Sequence, residues 1–254
     1  VLERCARSLA DVLLCSCGDL AEERVEAWLV HMARGVAHLH ALCIMHRDLK
    51  PANILVTDGM ALKIADFGLS RATAEVPLME RLPGDEVATS PLFTAHVATR
   101  WYRAPEVLLE VGYTEKLDVW SLGCIYAELW NAWSRFAHAP MFPGARSAQS
   151  ERLHVIADIY DGYQLHCIIR TLGATPEDFT AYPREVIIAL RPYLWSARKN
   201  LSVRWPRVPK QWISMVSSML DCSAYRRPSP HQVLQHLRRS CLLYTSPSPR
   251  DVIQ

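Results

Sequence analysis

The chain has 254 residues, of which 50% are hydrophobic and 21% are charged, and its net charge is +2 at pH 7. This length allows one large domain or two small ones, and so small a net charge gives no reason to expect nucleic-acid or membrane partners. No apolar run is long enough to span a bilayer, and no signal peptide is visible at Val1. The composition therefore indicates a globular protein.

The eight cysteines do not form a metal or redox motif. None belongs to a CxxC pair, and Cys15 and Cys17 are too close together for a zinc knuckle. We expect free thiols in a reducing compartment, which predicts a cytoplasmic or nuclear location.

The first half of the chain predicts two helices and a hairpin. Residues 9–14 indicate one or two helical turns, and a strong helix is predicted from an N-cap at Asp19 to about His40. Its apolar residues recur every three or four positions, which gives one buried stripe: Val25, Trp28, Leu29, Met32, Val36 and Leu39. Residues 54–56 and 62–65 predict two short strands, joined by a Thr57-Asp58-Gly59 turn.

The second half predicts four more helices. Residues 116 to about 130 are apolar on nearly every side, which indicates a buried central helix. Shorter helices are predicted at 165–172, 212–220 and 230–237, while residues 145–162 look like an insertion. Residues 240–254 are expected to be a disordered or artefactual tail, because a Ser-Pro-rich end cannot add to a core.

Three motifs occur in a fixed order. Residues 46–53 read HRDLKPAN, residues 66–68 read DFG, and residues 104–106 read APE. The DFG triplet alone is weak, but all three at this spacing resemble the catalytic loop, metal-binding turn and activation-segment end of a protein kinase. Over residues 1–239 the resemblance implies a protein-kinase-like (α+β) fold, with a mainly α-helical C-terminal lobe and a short β-hairpin at the catalytic loop.

The resemblance assigns catalytic roles to a few polar residues. Asp48 would accept the proton of a substrate hydroxyl, and Lys50, which is typical of serine/threonine kinases, would neutralise the transferring phosphoryl group. Asn53 and Asp66 would bind magnesium, a hard cation that prefers oxygen ligands. Thr99 would bridge Asp48 and Lys50. The implied cofactors are ATP and Mg²⁺.

The resemblance also assigns residues that would contact the nucleotide and residues that would hold the catalytic loop in place. Leu55 matches the floor under the adenine, and Glu3 and Cys5 fall where the hinge backbone meets it. In the supporting frame, Asp118 resembles the helix residue that holds the catalytic-loop backbone, and Glu106 resembles the partner of a late arginine, which Arg227 fits.

Residues 97–106, which read VATRWYRAPE, resemble the mitogen-activated and cyclin-dependent kinase group. Members of this group phosphorylate Ser or Thr followed by Pro, so protein substrates with such sites are expected. Arg100 favours the mitogen-activated branch, and the long segment from Phe142 to the last two helices also resembles the insert of that branch. If the protein is an enzyme, the alternative is a cyclin-dependent-like kinase.

The expected phosphorylation site reads Thr94-Ala95-His96. The mitogen-activated branch carries a Thr-x-Tyr pair here, and a Thr-x-His form resembles its atypical members. Phosphate on Thr94 would add about −1.5 to −2 charges, with Arg47 as its partner. Arg100 and Arg103, which bind phosphotyrosine in the family, would lose that ligand at His96. The hypothesis is activation by an upstream kinase through Thr94 alone.

A complete kinase needs a Gly-rich loop, a strand lysine and a helix Glu that holds this lysine, all of which precede the catalytic loop. No GxGxxG motif occurs, and the first lysine is Lys50, so no strand lysine precedes the catalytic loop. We therefore expect that the N-terminal lobe is missing and that this chain alone transfers phosphate negligibly. The other possibility is a lobe that binds partners without catalysis. The intact set of Asp48, Lys50, Asn53 and Asp66 favours the enzyme.

Overall fold

The computed structural model describes residues 7–15, 20–73, 100–134, 139–143, 159–194 and 197–245. Within these ranges the protein is rich in helices and contains two small antiparallel sheets. Several residues that the sequence singled out lie outside the described ranges: Glu3, Cys5, Thr94, His96 and Thr99.

The chain begins with a short and then a long helix. Helix α1 spans Leu9–Cys15, and α2 spans Glu22–Ala41. The N-cap of α2 is Ala21, two residues after the predicted Asp19, and its carbonyl accepts hydrogen bonds from Arg24 and Val25 at 3.1 and 3.2 Å. The predicted apolar stripe of α2 is buried, together with one further residue: Val25, Trp28, Leu29, Met32, Ala33, Val36 and Leu39.

Each of the two sheets pairs a strand that precedes the HRDLKPAN loop with one that follows it. The first sheet joins β1 (Arg7–Ser8), β3 (Ile54–Val56) and β4 (Leu62–Ile64) in the order β1-β3-β4. The second sheet pairs β2 (Ile44–Met45) with β5 (Arg71–Ala72). Because β2 ends and β3 begins at the edges of the loop, pairing of both strands fixes its two ends.

Helix α4 is the centre of the fold. A short helix α3 (Pro105–Leu108) precedes it, and α4 itself spans Lys116–Trp133, three residues beyond the predicted end. Nearly all of α4 is buried, and it packs against α2 and against α7 (Lys210–Met219). At Gly123 a Cβ atom would lie 3.0 Å from the Cβ of Met219. Glycine therefore allows α4 and α7 to approach closely.

The remaining helices differ from the prediction mainly in length. Helix α5 spans Ile159–Leu172 and begins six residues earlier than predicted, while α6 (Arg184–Leu190) was not predicted. Helix α6 is short, and only Val186 and Leu190 of it are buried, so its apolar pattern covers a single turn.

The last helix corrects the prediction for the start of the tail. Helix α8 spans Pro230–Thr245 and packs on α2. Because the helix ends at Thr245, residues 240–245 are helical, where disorder was expected. No proline or glycine occurs between residues 231 and 245, and the first helix breaker is Pro247. Residues 246–254 lie outside the described ranges.

None of the helices in the described ranges is both long and apolar enough to cross a membrane. The five cysteines whose side chains are described carry free thiols: Cys15, Cys43, Cys124, Cys167 and Cys222. Burial raises the pKa of the Cys222 thiol to about 12.

Candidate active site

Three polar side chains of the HRDLKPAN loop meet at one carboxylate. Lys50 Nζ lies 2.7 Å from Oδ2 of Asp48, and Asn53 Nδ2 donates to the same oxygen at 2.8 Å. Asn53 Nδ2 also donates to the backbone carbonyl of Asp48 at 2.8 Å. The 3₁₀ turn Pro51–Asn53, with its φ fixed at Pro51, brings Asn53 back towards Asp48. The loop thus presents an acid, an amine and an amide within a few ångströms.

The hairpin places a second carboxylate beside this cluster. The amide of Ala65 donates to the carbonyl of Asn53 at 2.9 Å, so the next residue, Asp66, follows directly on the loop. Asp66 has a φ of 63°, in the left-handed region that is uncommon outside glycine. Its side chain is exposed, and its described hydrogen bond comes from the Gly68 amide at 3.4 Å. Asp66 therefore keeps most of its capacity to bind a cation.

His46 joins the loop and the hairpin turn. Its side chain is buried, and Nε2 lies 2.9 Å from the carbonyl oxygen of Ala65. The ring of Phe67 meets the His46 ring edge-on at a centroid distance of 5.1 Å, although Phe67 remains 48% exposed. These contacts agree with a structural role for His46.

A buried carboxylate of α4 holds the backbone of the loop. Oδ2 of Asp118 accepts a hydrogen bond from the His46 amide at 2.8 Å, and Oδ1 accepts one from the Arg47 amide at 2.9 Å. Arg47 has a φ of 71°, which costs free energy in a residue with a Cβ. Because Asp118 is fully buried and binds both amides, it can stabilise this backbone conformation.

The sequence analysis did not predict the third partner of Asp118. Nε2 of His40 lies 2.9 Å from Oδ2, at the C-terminal end of α2. The one available signal was a histidine in the last turn of a helix that leads into the loop. The side chain of Arg47 is held differently, because its guanidinium lies 5.6 Å from the centroid of the Tyr113 ring.

Arg47 is a poorly compensated cation. Its Nη1 is buried and has no hydrogen-bond partner among the described residues. Burial lowers the pKa of the Arg47 guanidinium, and this effect outweighs the raising effect of Tyr113; the neighbouring cation Arg71 lowers the pKa further, and Asp118 raises it more weakly. A second anion close to this guanidinium would be stabilised.

Glu106 and Arg227 form a buried bidentate pair. The two guanidinium nitrogens of Arg227 lie 2.6 and 2.7 Å from the two carboxylate oxygens of Glu106. Nε of Arg227 donates to the carbonyl of Asp221 at 2.8 Å, and the guanidinium lies 5.0 Å from the centroid of the Trp120 ring. This pair ties α3 to the segment between α7 and α8.

The remaining predicted residues are less closely tied to the loop. Leu55 is partly exposed, whereas its strand neighbours Ile54 and Val56 are buried, so it faces away from the core. Arg100 and Arg103 lie beside Asp161 at the start of α5, an acidic partner that the sequence analysis did not predict.

The donor set fits a magnesium–nucleotide complex better than a bare metal ion. Nδ2 of Asn53 points to Asp48, which leaves its amide oxygen without a donor among the described residues, and Asp66 offers an open carboxylate. In the described ranges no group of three or more His, Cys, Asp or Glu side chains could hold a metal ion alone. Magnesium is commonly bound by one or two protein oxygens together with phosphates, which matches this pair.

A helix-rich fold with an acid, lysine and amide in one loop and a second carboxylate on the next turn has the parts that phosphoryl transfer uses. The chain belongs to the protein kinase domain family, whose model matches residues 1–237.

Its curated relatives include two kinds of kinase at nearly equal similarity. The chain is 34% identical to cyclin-dependent kinase F-3 of Oryza sativa subsp. japonica over 93% of its own length and 47% of the relative's. It is 33% identical to mitogen-activated protein kinase 6 of Arabidopsis thaliana over 92% of this chain and 51% of the relative. It is 33% identical to cyclin-dependent kinase 4 of Ovis aries over 85% of this chain and 60% of the relative.

These comparisons show the family and no finer subgroup. The chain spans roughly half of the first two relatives and three-fifths of the third. The family model matches from residue 1, so the expectation that the N-terminal lobe is missing is not confirmed by the match. The Thr-x-His subtype is not confirmed either.

Proposed function

We propose that this chain is part of a protein kinase that transfers the γ-phosphate of ATP to serine or threonine. The observation that carries the proposal is the meeting of Lys50 and Asn53 on one carboxylate oxygen of Asp48, at 2.7 and 2.8 Å. Phosphoryl transfer depends mainly on positioning and charge neutralisation, and this cluster supplies both.

Asp48 orients the substrate hydroxyl and accepts its proton. Its Oδ1 has no described hydrogen-bond donor, whereas Oδ2 is held by Lys50 and Asn53, so one oxygen remains for the substrate. The amine of Lys50 lies close enough to Asp48 to neutralise charge on the transferring phosphoryl group. Thr99 is proposed to bridge these two residues.

Asn53 and Asp66 hold magnesium that arrives with the nucleotide. When bound, this ion would neutralise charge on the ATP phosphates. Leu55, Glu3 and Cys5 are proposed to contact the adenine. The phosphate-binding glycine loop and strand lysine do not occur in residues 1–254, so we expect the isolated 254-residue chain to transfer phosphate poorly.

The subgroup proposal rests on the VATRWYRAPE run and on Arg100. It makes the protein a mitogen-activated-type kinase with substrates that carry Ser-Pro or Thr-Pro. The cyclin-dependent alternative is favoured by relatives of nearly equal identity that bear that name.

Regulation is proposed to act through phosphate on Thr94. The buried, unpartnered Nη1 of Arg47 supports this proposal, because a phosphate would offer the acceptor that this cation lacks. The neighbouring Arg71 adds to the positive potential there.

The test measures phosphate transfer to a Ser-Pro peptide and to its Ser-Ala counterpart. It uses the natural protein, tagged and expressed in its own cells. Asp48→Asn should lower the rate about 10²–10⁴-fold, and Thr94→Ala should abolish the activated state. Asp58→Asn, in an exposed turn, is the matched control and should change little.

Each alternative predicts a different result. No transfer by the wild-type protein would favour a binding module without catalysis. An undiminished rate in Thr94→Ala would rule out activation through Thr94. Dependence on a separate activating subunit would favour the cyclin-dependent alternative.

A further inference from the structure

A buried carboxylate, Asp161, contacts two arginines that follow one another closely in the chain. Oδ1 of Asp161 accepts a hydrogen bond from Nε of Arg100 at 2.5 Å and lies 3.8 Å from Nη1 of Arg103. The side chains of Arg100, Arg103 and Asp161 are 15%, 20% and 11% exposed. At this burial water screens the charges weakly, so the arginines need a nearby anion.

Arg100 begins, and Arg103 directly follows, a turn that is fixed to α4 on its other side. The turn Arg100–Tyr102 is anchored by Tyr102, whose hydroxyl donates to Glu128 at 2.6 Å and whose carbonyl accepts from Ser121 at 2.8 Å. Asp161, in the first turn of α5, fixes the opposite side. The turn is thereby clamped between α4 and α5.

Arg103 connects this clamp to the catalytic loop. Burial lowers the pKa of its guanidinium, while the carboxylates of Asp161 and, more weakly, Asp48 raise it. The same guanidinium is therefore attracted both to the carboxylate of α5 and to the proposed catalytic acid.

We propose that Asp161 is a positioning residue that supplies, from within the chain, the negative charge for Arg100 and Arg103, so that this turn is fixed without a phosphate. The inference rests on the proposed function in one respect: if Asp161 takes the place of a second phosphate, phosphate on Thr94 alone is enough to activate the kinase. A carboxylate carries a single charge, and it can occupy the place of a phosphate between two guanidinium groups.

The test is chemical rescue of the 254-residue chain by inorganic phosphate. Asp161→Asn keeps the size of the side chain and removes its charge, which leaves two arginines without this counter-ion. The variant should unfold at a lower temperature than the wild type. Phosphate at 20 times its dissociation constant should raise its Tm by about 3 °C or more beyond the gain of the wild type, in which any phosphate bound at Arg47 sets the baseline.

Matched variants separate a charge effect from a packing effect. Asp161→Glu keeps the charge and should gain no more from phosphate than the wild type, and neither should the double variant Arg100→Gln/Asp161→Asn. Asp58→Asn should behave as wild type. A destabilised Asp161→Asn without a phosphate response would mean a purely structural role, and an unchanged Tm would mean that Asp161 holds nothing; both overturn the proposal.

If Asp161→Asn does not fold, a measurement on the wild type still tests the proposal. Phosphate binding, followed by the ³¹P signal, should not depend on Arg100 in the wild type. Binding that Arg100→Gln abolishes would show that the arginines still take an external phosphate, and the proposal would fail. None of these readouts involves phosphate transfer, so their failure is distinct from failure of the proposed kinase activity.

Discussion

Two arginines of this protein, one buried and one partly buried, differ in how the protein satisfies their hydrogen-bond donors. Arg227 is fully buried, binds both oxygens of Glu106 and donates to backbone carbonyls, so its donors are met by the protein itself. Arg47 lies over Tyr113, and its Nη1 has no partner among the described residues. A saturated guanidinium contributes to the fold, whereas an unsaturated one is available for an incoming anion.

The largest expected effect is at the saturated arginine. Arg227→Lys keeps the charge but cannot bind Glu106 through two parallel hydrogen bonds, and it leaves a buried carboxylate poorly paired. We expect the free energy of unfolding to fall by about 3–5 kcal/mol. Urea unfolding followed by circular dichroism measures this loss.

A surface arginine provides the control for this prediction. Arg207 is exposed, and Arg207→Lys should leave the urea midpoint unchanged. If Arg227→Lys were as stable as the wild type, the bidentate pair would not be the anchor that its geometry indicates.

A smaller effect is expected at Asp118, which holds the backbone next to Arg47. Asp118→Asn keeps the side-chain size but replaces one acceptor oxygen with a donor, which faces a backbone amide or His40. An unsatisfied buried amide costs about 1–3 kcal/mol. We expect that loss of stability together with faster hydrogen exchange at the amides of His46 and Arg47.

The exchange rates test the mechanism separately from stability. The matched control, Asp58→Asn, lies in an exposed turn and should change neither readout. Unaltered exchange at His46 and Arg47 in Asp118→Asn would contradict the role of Asp118 in holding the loop.

The parts of this fold that the sequence predicted are those with a local pattern. The stripe of α2 and the burial of α4 follow from residue spacing, and the hairpin follows from a turn signal between two apolar runs. Helix α6 buries only Val186 and Leu190, which gives too short a pattern to detect, and the N-cap of α2 is Ala21, which has no side-chain oxygen to mark it in the sequence.

Within the site, a motif could indicate residue types but not their long-range partners. The HRDLKPAN run brings Asp48, Lys50 and Asn53 together because they are neighbours in the chain. By contrast, the contacts His40–Asp118 and Arg100–Asp161 join residues 78 and 61 positions apart. No periodicity connects such pairs, so they become visible only when α4 and α5 are in place.

The smallest effect on stability is expected at Arg47, the arginine whose Nη1 has no partner among the described residues. Arg47→Gln removes a cation–π contact worth about 0.5–1 kcal/mol, but it also removes a partly desolvated charge beside Arg71. Since the two effects oppose each other, the free energy of unfolding should stay within about 0.5 kcal/mol of the wild type. Phosphorylation of Thr94 should stabilise the wild type and leave Arg47→Gln unchanged, as thermal unfolding of both forms would measure. If Arg47→Gln lost as much stability as Arg227→Lys, Arg47 would belong to the fold, and the contrast between the two arginines would not hold.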